Sequence, residues 1–186
     1  MTRGFCRAIA VGFALACLAG CATRGTIREL GRPEFEGAVP ADAKLTLVEP
    51  RVPGQLHAFP GGAGEGDYRA ETWMTIPAHR EGDEVVFDMN ATGKGDRRIA
   101  LLEVLAFPLP AKDVLRFKEE GKLPGGEPIA RDRSTKPIPG KPVLHVELHV
   151  PVARAAGVDQ LALPILLVFE DGWVTIRDNV VLLPPG

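Results

Sequence analysis

The chain has 186 residues, with 22 Lys+Arg against 24 Asp+Glu and a formal charge of −2. So even a balance leaves no basic footprint for nucleic acid, and 45% hydrophobic residues suit a packed core better than a disordered chain. All three cysteines fall at or before residue 21, which excludes a disulfide-stapled scaffold for the remainder.

Met1 to Arg7 carries Arg3, Arg7 and no acid, and Ala8 to Gly20 is an unbroken apolar or small run. That is the length of a secretory h-region and too short to span a bilayer. Leu18-Ala19-Gly20-Cys21 resembles the lipobox of bacterial lipoproteins. The resemblance implies acylation of Cys21, removal of residues 1–20 and, with Ala22 rather than Asp next, sorting to the outer membrane on its periplasmic face. The 166 residues left would carry a charge of about −4. Residues 21–40 hold Gly25, Gly31, Pro33 and Gly37 among charges, without periodicity, and read as a lipidated cysteine followed by a flexible tether. Residues 41–184 then form the periplasmic domain; whether 41–77 share its sandwich or make a separate subdomain is left open.

Lys44 to Glu49 reads as a strand and Arg51 to Asp67 as a loop, whose tip is the glycine-rich stretch 60–66. No Lys-Ser/Thr follows those glycines, so they are not a phosphate loop. Tyr68 to Ile76 alternates as a strand, 79–83 reads as a hairpin connection, and Glu84 to Asn90 and Arg98 to Phe107 complete a three-strand antiparallel meander. Ala111 to Glu120 has helix formers, with Val114 and Phe117 three apart and Gly121 as C-cap. Leu123 to Lys141 is a Pro/Gly/charge-rich crossing. Val143 to Val150 alternates cleanly, with Leu144, Val146, Leu148 and Val150 facing one way. Gln160 to Glu170 is apolar on both sides, although Pro164 hints at a bulge or edge. Asp171-Gly172 is a strong tight-turn signal, of the two-residue I′ type, into a last strand, Trp173 to Leu183. The pattern predicts an all-β fold, a β-sandwich of about seven strands with one short helix.

The order of elements over residues 84–184 resembles the YbaY/YscW-like (pilotin-type) lipoprotein domain. An apolar strand runs into a polar helix (Ile99 to Leu115), a Pro-started alternating strand follows (Pro142 to Val150), and a glycine-turn hairpin closes the chain (Glu170 to Asn179). Arg177-Asp178-Asn179 departs from the family's hydroxyl-rich ending. The resemblance implies an immunoglobulin-like sandwich, and for some members a role in carrying a secretin to the outer membrane.

Catalytic chemistry is not legible. Ser134 is the sole serine and lacks a Gly-x-Ser-x-Gly elbow. Glu103, between Leu102 and Val104, reads as the outer face of a strand. His145, Glu147 and His149 are weak metal candidates. The two histidines lie about 13 Å apart along a strand, too far to share one zinc with Glu147, so a solvated face is the better reading. The expectation is a non-enzymatic protein with no cofactor, whose partners are the bilayer, through acylated Cys21, and an outer-membrane or secretion-system protein. The expected role is chaperone or assembly factor. A small-ligand or metal-binding envelope module and a structural component or inhibitor are the alternatives.

Overall fold

A computed structural model describes residues 24–29, 31–47, 52–58, 74–75, 77–93, 96–155 and 157–183. Cys21, the signal segment and the glycine tip at 60–66 lie outside them, as do residues 68–73 of the expected strand. Among the described residues the strands are β1 (Arg24–Gly25), β2 (Leu45–Leu47), β3 (Val52–Ala58), β4 (Met74–Thr75), β5 (Ala78–Glu81), β6 (Glu84–Thr92), β7 (Ile99–Pro108), β8 (Ala130–Ser134), β9 (Val143–Pro151), β10 (Gln160–Phe169) and β11 (Trp173–Leu182). The one α-helix among the described residues, α1 (Ala111–Glu120), lies between β7 and β8. Seven of the strands have five or more residues, and the protein is an all-β sandwich with a single short α-helix among the described residues, as the pattern predicts.

The architecture follows from which strands are apolar on both faces. In β7 every position from Leu101 to Phe107 is buried, and so is all of β10 after Gln160. Strands of that kind need cover on both sides. They sit at the middle of a seven-stranded sheet ordered β1-β2-β11-β10-β7-β8, with β3 beside β11. The alternating strands β6 and β9, which need cover on one side only, pair with each other in a second, four-stranded sheet with β4 and β5. The two sheets stack through a core that includes Phe87, Met89, Val146, Leu148, Ile165 and Leu167. The described parts of 41–77 enter both sheets and are not a separate unit.

Several expectations need correction. The expected meander breaks between β6 and β7, because a strand buried on both faces cannot join the outer sheet. Instead, β7 pairs with β10 and β8. Val52–Ala58, expected as loop, runs parallel to β11. Ala130–Ser134, expected within a crossing, forms the β8 edge. Ala78–Glu81 is a strand, and only Gly82 and Asp83 make the turn. Pro164 is central and not at an edge. Pairing to β7 is interrupted at Leu163 and Pro164, where the imino nitrogen has no proton to donate.

Two glycine predictions hold in substance. Gly121 ends α1 in the left-handed region, at φ 55° and ψ 28°. Gly172, at φ 82°, closes the β10–β11 hairpin by donating its N–H to Phe169 O at 3.0 Å. The loop spans three residues, Glu170 to Gly172, and is not the two-residue type expected.

The expected flexible tether of 21–40 is the largest correction. Arg24–Gly25 pair with β2 at the end of the seven-stranded sheet, and the described residues from Thr26 on form a strap across the face of that sheet opposite the sandwich core. Ile27, Phe35, Ala38 and Leu45 fill a second core with Leu166, Ile176 and Phe117 of α1. Local chemistry shapes the strap. Thr26 and Glu29 cap one turn reciprocally, Thr26 N–H donating to Glu29 Oε2 at 2.7 Å and Glu29 N–H to Thr26 Oγ1 at 3.3 Å. Pro33 opens a 3-10 turn that seats Phe35, which is fully buried.

Candidate functional site

Charged side chains lie where strap and sheet meet. Alternation along β7 puts Glu103 on the same face as Leu101 and Leu105. Along β11 it puts Asp178 with Ile176 and Val180, and on the edge strand β8 it puts Arg131 and Arg133 toward the strap. The β7–β8 register sets Glu103 opposite Arg133.

Arg32, from the strap, reaches Asp178 with both terminal nitrogens, Nη2 to Oδ1 at 2.8 Å and Nη1 to Oδ2 at 3.2 Å. Its Nε also donates to Glu34, and its guanidinium lies 5.6 Å from the Phe35 ring centroid. Burial alone would lower the Arg32 guanidinium, but the attraction and hydrogen bond of Asp178, then those of Glu34, outweigh it and raise it. Such a two-pronged pair orients as well as attracts.

On the other side, Arg131 joins sheet and strap. Its Nε lies 3.2 Å from Glu103 Oε1, and its Nη2 donates to Glu34 O at 2.6 Å. Arg133 Nη1 donates to Gly37 O at 3.3 Å. Glu103 is 1% exposed, so the expected solvent-facing strand position is in fact under the strap. Its second oxygen, Oε2, is buried without a hydrogen-bond partner. Burial pushes this carboxyl above the ordinary carboxylate range, with Arg131 and then Arg133 opposing the shift. Glu36, Gly37, Glu103, Arg131 and Arg133 line a cleft of about 380 Å³. A neighbouring hollow of about 320 Å³ shares Glu36 and Arg131 and adds Phe107, Leu123 and Pro124. This junction is the candidate site.

The metal candidates lie elsewhere, on the outer face of the four-stranded sheet. His145 Nδ1 is 3.3 Å from Asp88 Oδ1 and 3.2 Å from Asn90 Oδ1, and its Nε2 is 3.2 Å from Glu147 Oε1. His149 Nδ1 is 3.0 Å from Glu84 Oε2. The histidines thus engage β6 and β9 side chains separately, and no group of three ligating residues among those described is arranged to hold a metal. Ser134 Oγ is hydrogen-bonded to Lys136 O at 3.3 Å.

Glu103 was legible as a carboxylate in an apolar run, but its environment was not. Arg32, Asp178, Arg131 and Arg133 carried no motif. Two signals point to them: a lone Asp inside the apolar stretch 173–183, which demands a partner if buried, and the period-2 arginines of 131–133.

No protein-family model matches the chain, and no curated protein matches it. Among solved structures, a crystal structure of wild-type OgpA from Akkermansia muciniphila is similar at 10% identity and a TM-score of 0.35, covering 63% of this chain and 30% of that one. The chain spans under a third of that protein's length, and nothing about function transfers at this similarity.

Proposed function

We propose that the protein is an outer-membrane lipoprotein whose sandwich works at the membrane surface as a non-enzymatic assembly factor for other envelope proteins. The observation that carries this reading is the position of the strap. β1 begins at Arg24, three residues beyond Cys21, so an acylated Cys21 would hold the sheet within roughly 10 Å of the lipid. The long reach that a tether to residue 40 implies is gone. A domain held so close meets partners that arrive at the bilayer and does not search the periplasm. Short, charged outer strands such as β5 discourage indiscriminate edge pairing, which favours a specific client over a general holdase. The resemblance of residues 84–184 to the YbaY/YscW-like domain, drawn from the sequence alone, supports the same class of role.

Two experiments test the proposal. Cys21→Ser is expected to release the protein from outer membranes; retention after a high-salt wash sinks the anchor. Crosslinking in intact cells, with quantitative comparison of outer-membrane proteins between wild type and deletion, is expected to reveal one client that loses its outer-membrane location. Inserting about fifteen Gly/Ser residues after Ala22 restores a long tether; it should keep the anchor yet weaken crosslinking to that client. An unchanged outer-membrane profile in the deletion rejects the assembly role.

A further inference from the structure

The cleft between strap and sheet has a shape and a chemistry that hold no excess charge. Two carboxylates, Glu36 and Glu103, and two guanidiniums, Arg131 and Arg133, line it, and Glu36 Oε1 also lies 2.9 Å from Nε of the exposed Arg28. One strong acceptor there is unanswered: Glu103 Oε2 is buried with no hydrogen-bond partner. We propose that this cleft binds a small, uncharged, hydroxyl-rich ligand of the sugar class, with Glu103 Oε2 accepting a hydroxyl proton and Arg131 and Arg133 donating to hydroxyl oxygens.

Charge selects the class. An ammonium that reached Glu103 would also meet Arg131, whose Nε is 3.2 Å from the same carboxylate. A phosphate or carboxylate drawn to the arginines would meet Glu103 and Glu36. A hydroxyl adds no charge and both donates and accepts, so one group can satisfy Glu103 while a guanidinium hydrogen bonds to its oxygen. Neighbouring hydroxyls on one ring repeat that pattern, which suits a cleft lined by both carboxylates and guanidiniums.

The arginines are held ready. Arg131 is tied at one end to Glu103 and at the other to Glu34 O, and Arg133 to Gly37 O. Each guanidinium has five N–H groups, more than these contacts use, so donors remain for a ligand without rebuilding the site. Fixed donors of this kind lose little freedom on binding. Size fits as well. About 380 Å³ falls within the range of small-molecule sites and far exceeds the roughly 30 Å³ share of one water. The adjoining hollow supplies Phe107, Leu123 and Pro124 for the C–H face of a ring.

Saturation-transfer NMR on the full chain in detergent, with N-acetylglucosamine as probe, tests the site. A saturable signal in the millimolar range is expected. Glu103→Gln and Arg133→Gln should each weaken it about tenfold, the effect of losing one charge-assisted hydrogen bond. Arg133 is exposed, so its variant gives a second, independent reading of the cleft at a position outside the packed core. Inorganic phosphate and methylammonium serve as anionic and cationic competitors and should not displace the sugar at equal concentration. The proposal is overturned by the absence of saturation, by a signal that both variants leave unchanged, or by displacement with either ion.

Discussion

The two faces of the central sheet are both buried but by different means. The inner face meets the four-stranded sheet through an almost wholly apolar core, from Phe87 and Leu148 to Ile165 and Leu167. The outer face is covered by one helix and an N-terminal strap, and there the apolar contacts of Phe35 and Phe117 share the interface with Arg32, Asp178, Glu103 and Arg131. The first is regular structure closing on regular structure. The second is an irregular segment whose few apolar side chains need ion pairs to set its path. Burial drives both closures, whereas direction at the outer face comes from charge. A face of that second kind is where clefts and unanswered polar atoms survive.

Removing one large side chain from each face should expose the difference. Phe87→Ala is expected to cost about 4 kcal/mol and Phe35→Ala about 3 kcal/mol. In hydrogen exchange, the first should lower protection across both sheets, and the second should raise exchange mainly in 24–45. Uniform loss of protection in both variants would mean that strap and sandwich fold as a single cooperative unit.

The charges should matter only at the outer face. Arg32→Met leaves Asp178 buried beside an apolar chain and is expected to cost about 3 kcal/mol in denaturant unfolding. The double change Arg32→Met with Asp178→Leu should recover part of that loss, because the more deeply buried carboxylate goes with its arginine while Glu34 still loses its contact to Arg32. Should the double variant be as unstable as the single one, the pair would not be what positions the strap.

Glu103 gives a pH signature. A carboxyl whose folded-state pKa lies above its unfolded value holds its proton more tightly when folded. The folded state therefore loses stability as pH rises through that raised value, and regains it as pH falls toward the unfolded one. Glu103→Gln should accordingly be favoured relative to wild type at neutral pH, with the gap closing toward pH ~4, near the ordinary glutamate value. Thermal unfolding from acid to neutral pH measures this, and a gap that widens on acidification would contradict it.

The smallest effect is expected on the solvent side of the four-stranded sheet. His145→Gln with His149→Gln should change stability by less than about 0.5 kcal/mol, since their contacts are exposed pairs. Added zinc should not raise the melting temperature of wild type. A stoichiometric rise, lost in the double variant, would make that face a metal site.

Legibility follows local periodicity. Val143–Pro151, Gln160–Phe169, Trp173–Leu182 and Ala111–Glu120 were readable because each repeats one burial pattern over nine or ten residues. The strap was not. Its buried residues Ile27, Phe35 and Ala38 keep no constant interval, and its glycines, prolines and charges have the composition of a linker. β8 is missed for a related reason: its alternation is between half-buried and exposed residues, with Arg131 and Arg133 looking like solvated charges. Glu103 sits on a face that alternation marks as outer, and only the strap makes it interior.

The sequence by itself determined the sandwich class, the positions of the long strands and the helix, and the doubly apolar character of β10, because backbone periodicity and side-chain hydrophobicity act within a few residues. Tertiary structure decided what covers the second face of the central sheet, which arginine meets Asp178 across 146 positions of chain, and that Glu103 is buried with one oxygen unanswered. Those outcomes depend on contacts between segments far apart in the chain, and the free energy of such a contact is written in neither segment alone.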